Sequence, residues 1–231
     1  MLFKKTSAEE CYQKGEECYN KSDYAKAVEW YKKAAEQGHA EAQCSLGFCF
    51  ANGLGVEKDY VKAVYWYTKA AERGFAKAQY YLGNCYDFGR GVVNDDIKAV
   101  EWYRKAAEQG HAVAQCSLGF NYANGLGIGQ DCAKAVMWFK KAAEQGYVVA
   151  QFNLGKCYFN GQGVEKDYTK AVYWYRKAAE QGDDTAQFSL GTCCYNGQGI
   201  ERDVPQSVVW FKKSAAQGNE KAKAVLKKLG Y

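Results

Sequence analysis

Apolar residues fall at helical spacing along most of the chain, in segments separated by glycine-rich turns. In the segment 40–52, Ala42, Leu46, Cys49 and Phe50 share one face and predict an amphipathic helix. Asn52-Gly53-Leu54-Gly55 then carries turn chemistry. Asp59 is a natural N-cap, because its carboxylate can accept from the free amides of the next turn. A second helix follows, with Tyr60, Ala63, Val64, Tyr67, Ala70 and Ala71 on one side. Lys69 in its last turn suits the helix dipole, and Gly74 supplies a left-handed stop. No stretch alternates with the period of a strand, so the pattern predicts an all-α chain.

This helix–turn–helix pattern recurs at a fixed period. Trp30, Trp66, Trp102, Trp138, Trp174 and Trp210 are 36 residues apart, and so are Asp23, Asp59, Asp95, Asp131, Asp167 and Asp203. Gly38, Gly74, Gly110, Gly146, Gly182 and Gly218 keep the same register. Periods of roughly 20 to 50 residues mark solenoids, propellers or arrays. The copies run 8–39, 40–75, 76–111, 112–147, 148–183 and 184–219, and 220–231 adds one capping helix. One single solenoid domain over 1–231 is expected. The first copy is shorter because it lacks the G-x-G segment. Ser7 with Glu10 forms a capping-box pattern at the entry, and Lys221, Lys223, Lys227 and Lys228 put charge on the outside of the last helix.

Twenty-two of the 24 glycines occupy four repeat positions. One of these lies inside the first helix of each copy: Gly15, Gly47, Gly83, Gly119, Gly155 and Gly191. A mid-helix glycine costs roughly 1 kcal/mol relative to alanine. Burying a large apolar side chain returns about 1.5 to 3 kcal/mol. The expectation is therefore that the missing side chain admits a neighbouring helix or the Trp ring.

These positions resemble the SEL-one-like repeat family, a relative of the tetratricopeptide repeat. The fifth copy carries the resemblance most fully, through Ala150, Gln151, Leu154, Gly155, Tyr158, Gly161, Gly163, Val164, Asp167, Lys170, Ala171, Trp174, Tyr175, Lys177, Ala178, Ala179, Gln181 and Gly182. The likeness covers Ala8 to the C-terminus; the first copy is closer to a plain tetratricopeptide unit. It implies a right-handed superhelical alpha-solenoid of six αα-hairpin repeats that acts as an adaptor in protein complexes. Members of the family serve in protein quality control, signalling and bacterial host interaction. A cysteine-rich bacterial subgroup staples successive helices with disulfides, and some of its members have been proposed to bind or cleave penicillins. The first bridge cysteine of that subgroup falls near the K-A-A segment, which here holds Ala70-Ala71, Ala106-Ala107 and Ala178-Ala179.

Composition narrows the chemistry. Hydrophobic residues make up 48% and charged residues 25%, which excludes wholesale disorder. There is no apolar run of the ~18 to 20 residues that would insert into a membrane. The opening MLFKKTSAEE has no apolar core of signal-peptide length. A net charge of +5, evenly spread, does not point to nucleic acid. Of the ten cysteines, Cys49, Cys85, Cys157 and Cys193 share one repeat position, and Cys44 and Cys116 share another. Equivalent residues of stacked hairpins stand about 8 to 10 Å apart, too far for a disulfide. They read as small buried hydrophobes, with one Cys116–Cys132 bridge left open. A reducing, cytoplasmic setting fits, with export as an effector the other option. His39 and His111 share one repeat position and read as exposed turn histidines. No metal site or cofactor is expected, because no C-x-x-C occurs and neither histidine has ligand spacing around it. G-x-S-x-G and S-x-x-K are absent. The G-x-G pairs lack the rest of a phosphate loop and read as turns between helices.

Positions that vary between copies are free to recognise something. On the first helix they hold Ser45, Tyr81, Ser117, Asn153 and Ser189, and one turn on Phe48, Asn84, Phe120, Lys156 and Thr192. By analogy with tetratricopeptide arrays these face a concave groove, where rings supply contact area and amides can satisfy a peptide backbone. A second candidate face lies just before the Trp and holds Tyr65, Met137, Tyr173 and Val209. The leading expectation is a non-catalytic module that binds a protein or peptide partner in the groove. A penicillin-handling enzyme and a self-associating scaffold are the alternatives.

Overall fold

The computed structural model describes residues 6–231; the expectation resting on the opening MLFKK lies outside them. Among the described residues there are thirteen helices and no strand. The first helices of the repeats are α1 (Ala8–Asn20), α3 (Ala40–Asn52), α5 (Ala76–Phe88), α7 (Ala112–Asn124), α9 (Val148–Asn160) and α11 (Asp184–Asn196). The second helices are α2 (Tyr24–Glu36), α4 (Tyr60–Glu72), α6 (Asp96–Glu108), α8 (Cys132–Glu144), α10 (Tyr168–Glu180) and α12 (Val204–Ala216), and α13 (Glu220–Lys228) closes the series. The chain divides into two compact units: one up to Ala114 with Leu126–Ile128, the other Gln115–Gly125 with Gly129–Tyr231.

Local chemistry explains the helix ends. The Asp59, Asp95, Asp131 and Asp167 carboxylates each accept from the amide three residues on and start the second helices. Ser7 and Glu10 form the reciprocal capping box at α1. In the first copy, which has no G-x-G, the turn is made by Lys21 and Ser22, and Ser22 takes a φ of +60°.

In the first unit one cluster joins Cys11, Tyr31 and Ala35 to Leu46 and Cys49, and a second joins Cys44, Tyr67 and Ala71 to Leu82 and Cys85. In the second unit Val172, Tyr175 and Ala179 pack with Leu190, Cys193 and Cys194, while Leu226 of α13 covers Val208 and Phe211. The first three clusters draw on successive hairpins, so the repeats bury one another's faces, and the fourth joins the last hairpin to α13. Lys221, Lys223, Lys227 and Lys228 stay exposed on α13.

The mid-helix glycines face an aromatic ring of the second helix, but the ring is not the indole. A Cβ at Gly47 would lie 2.8 Å from Tyr67 Cδ1, and one at Gly83 2.7 Å from Tyr103 Cδ1. Phe139, Tyr175 and Phe211 meet Gly119, Gly155 and Gly191 in the same way. The partner is thus the residue after each Trp. Adjacent helical residues point about 100° apart, so when the Tyr or Phe turns to the glycine the indole turns away. The indoles are half-buried except for the buried Trp138. Lysine ammonium groups sit over them: Lys33 at 4.2 Å from the Trp30 ring and Lys105 at 3.9 Å from Trp102.

The second glycine of each G-x-G turn, at positive φ, presses on the backbone at the start of the previous repeat's second helix. Gly55 meets the Tyr24 carbonyl, Gly91 that of Tyr60, Gly163 that of Cys132 and Gly199 that of Tyr168. Any side chain there would collide with main chain, which cannot swing aside.

Buried glutamines tie three helices together. Gln79 of α5 donates through Nε2 to the Ala71 carbonyl of α4 at 3.1 Å, and its Oε1 accepts from Gln109 Nε2 at 2.7 Å. Gln151 and Gln187 do the same with Ala143 and Gln181, and with Ala179 and Gln217. In the second repeat Arg73 stands where the donor glutamine belongs. Gln43 still donates to the Ala35 carbonyl, but its Oε1 is buried without a partner. The Arg73 guanidinium lies over Gly38 instead.

Candidate partner-binding faces

In the first unit, α1, α3 and α5 form a cleft of about 190 Å³. Three of the variable residues, Ser45, Phe48 and Tyr81, line it together with Tyr12, Tyr19 and Glu16. Tyr81 stacks on the buried Tyr67 with ring centroids 5.1 Å apart, and Phe48 leans on Tyr81 at 6.0 Å. Burial pushes the Tyr12 and Tyr81 phenols up to about 12, so both rings are neutral donors at physiological pH. Asn84 is outside this cleft, half-buried on α5.

In the second unit, Phe120, Asn153 and Lys156 line a cleft of about 170 Å³ with Cys132, Gln130 and Gln162. Lys156 also borders a further cleft with Ser189, Phe152 and Phe188, closed at one end by Asn219 and Lys221 of α13. Phe120 is 53% exposed. Three polar candidates direct a donor to their own helix: Asn153 to the Val149 carbonyl, Ser189 to Thr185 and Thr192 to Phe188. Ser117 is half-buried on α7.

The face before each Trp is solvent-exposed. Tyr65, Met137, Tyr173 and Val209 are each about half exposed. Tyr65 and Tyr173 stand edge-on to Trp66 and Trp174, with Lys69 and Lys177 over their rings. In the second unit Met137, Tyr173 and Val209 follow one another on α8, α10 and α12. In the first unit the same position alternates Glu29, Tyr65 and Glu101.

The remaining reactive groups have structural places. All ten cysteines are free, Cys116 and Cys132 included, and eight of them are buried. Burial pushes the Cys44, Cys116 and Cys193 thiols up to about 12, and Cys49, Cys85 and Cys157 to about 11. They are held as thiols and behave as small hydrophobes. The histidines are not exposed turn residues. His39 and His111 cap α3 and α7, accepting through Nδ1 from the Ala42 and Ala114 amides at 3.2 Å. Tyr12 and Tyr80 stack on their rings at 4.6 and 5.0 Å. The sequence hides this role, because histidine is an uncommon cap. The nearby Asp183 and Asn219, at the same repeat position, are ordinary caps and would have indicated it. Among the described residues, no three of His, Cys, Asp and Glu gather to hold a metal, and no helix is long and apolar enough to cross a membrane.

Helical hairpins at a 36-residue period, locked by a glycine–aromatic contact and a G-x-G seat, define an alpha-solenoid of the SEL-one-like class. Sel1 repeats match residues 7–39, 40–75, 76–111, 112–147, 148–183 and 184–219, and the chain belongs to the Sel1 repeat family. It is 41% identical to c5321, a protective antigen of uropathogenic Escherichia coli strains displaying an SLR fold, with a TM-score of 0.89 over 94% of this chain. The chain spans about half (47%) of the length of that antigen. A Sel1 repeat protein from Oxalobacter formigenes is 40% identical, with a TM-score of 0.87, over 94% of this chain and 86% of its own. The immunity protein PA5088 of Pseudomonas aeruginosa shares the fold at 22% identity and a TM-score of 0.60, over 95% of this chain and 88% of its own. No curated protein matches the chain. Sel1 repeat proteins are typically protein–protein interaction modules and are generally non-enzymatic.

Proposed function

We propose that this chain is a non-catalytic adaptor that holds an extended segment of a partner protein on the face made by the first helices of its repeats. The observation that supports this reading is that residues varying between copies, Ser45, Phe48 and Tyr81, line one side-chain-sized cleft in the first unit. Beneath them lies the core that every copy shares. Phe120, Asn153 and Lys156 line a comparable cleft in the second unit. Rings offer contact area at little entropic cost, which is how aromatic residues anchor interfaces.

The test is affinity capture with the whole chain, followed by measured binding of the recovered partner. The triple variant Phe48→Ala, Tyr81→Ala, Phe120→Ala should weaken binding at least about tenfold, as loss of anchor residues does. A control variant, Tyr65→Ser, Met137→Ser, Tyr173→Ser, should leave it unchanged. Circular dichroism checks that both variants fold. The opposite pattern would move the site to the second helices, and light scattering on the same samples would show whether that face joins two copies.

A further inference from the structure

The cleft of the first unit differs from an ordinary apolar groove in the charge at its floor. The Glu16 carboxylate is fixed there by the Tyr31 phenol, which donates to Oε1 at 2.6 Å. Among the described residues no lysine, arginine or histidine pairs with Glu16 within 4 Å. Glu41, also in the lining, lies 3.3 Å from His39 Nδ1, but that nitrogen accepts from the Ala42 amide and offers Glu41 no proton. The proton of His39 belongs on Nε2, which faces Glu9 at 2.9 Å. Two carboxylates therefore face the cleft without a fixed counter-charge. The one cation in the lining, Lys77, is exposed and solvated.

Around these carboxylates stand the rings of Tyr12, Tyr19, Phe48 and Tyr81. Aromatic faces carry negative potential and attract cations set over them. At about 190 Å³ the cleft is smaller than the roughly 300 to 1,000 Å³ of sites that enclose whole small ligands, and suits one long side chain. A guanidinium fits this lining better than an ammonium. It stacks flat on rings and presents a planar fork of donors to a carboxylate.

Resting on the groove-binding reading, we propose that this cleft receives an arginine side chain from the partner segment. The guanidinium lies among Tyr12, Tyr19 and Tyr81 and donates to Glu16. No bond is made or broken. Lys77 at the rim opposes the incoming charge and tunes the affinity.

The experiment titrates the full chain with N-acetyl-arginine amide, followed by the NMR signals of the tyrosine rings. The neutral isostere N-acetyl-citrulline amide is the control. Saturable shifts with the arginine compound, at least about fivefold weaker with citrulline, are expected from the loss of cation–π and ionic attraction. Glu16→Gln keeps an acceptor for Tyr31 and should abolish the preference for arginine. Lys77→Gln, on the surface, should tighten arginine binding. Equal binding of both compounds, no binding of either, or a preference that survives Glu16→Gln would overturn the proposal. If the preference is absent while the triple variant still loses the partner, the cleft inference fails and the groove reading stands. If the preference is present while the partner is retained, the reverse holds.

Discussion

The second and third repeats have the same helices, capping aspartate and glycine–aromatic contact, yet only the third closes its glutamine clamp. Gln79 is satisfied at both ends of its amide, whereas Gln43 has its donor engaged and its acceptor buried alone. The cause is one residue. Arg73 occupies the place of Gln109 and sends its guanidinium over Gly38. A buried unpaired acceptor costs about 1 to 3 kcal/mol. The repeat fold therefore tolerates a missing bond when its apolar contacts are intact.

Three measurements sharpen that comparison. The largest effect belongs to the part both repeats share. Gly47→Val and Gly83→Val each drive a side chain into Tyr67 or Tyr103, and each should cost on the order of 3 kcal/mol or more by urea unfolding. A marked inequality between the two would show that the rings are not equally constrained. Next comes the clamp. Gln79→Leu strands the Ala71 carbonyl and the Gln109 amide, and should cost about 1 kcal/mol more than Gln43→Leu. Arg73→Gln should restore the missing bond and stabilise by about 1 kcal/mol. Unchanged stability would mean that Gln43 Oε1 already has a partner in water.

The smallest effect is one of pH. Burial first, and Lys77 second, hold the His111 pKa below its usual value. The neutral ring, which caps α7, is then favoured by folding. Its contribution is full above the unfolded value of about 6.5 and is lost as pH falls through the lower folded value. Melting temperatures measured from pH 7.5 down to 5 should fall more steeply for the native chain than for His111→Asn, which keeps a capping acceptor and cannot titrate. Parallel curves would remove His111 from the acid response.

Much of this arrangement is legible in the sequence, for a physical reason. A 36-residue period shows each position up to six times, so Asp59 reads as a cap and Gly83 as a close approach from the chain alone. The glycine's partner is harder to read. Trp and the following Tyr or Phe repeat equally well, and only the packing shows which ring turns inward. The glutamine clamp was missed altogether. Gln79 and Gln109 are visible as repeated residues, but a buried polar side chain stands out only when its distant partners are known. The variable face was legible as a set of positions. The Glu16 carboxylate beneath it was not, because the first copy departs from the common pattern.

The seat between neighbouring repeats has a further consequence. Gly55, Gly91, Gly163 and Gly199 rest on main-chain atoms of Tyr24, Tyr60, Cys132 and Tyr168. At these four contacts the receiving surface is main chain, which every residue type presents. The glycine seat can therefore recur at every junction while the side chains around it diverge, and an array built on it can grow or shrink in whole hairpins.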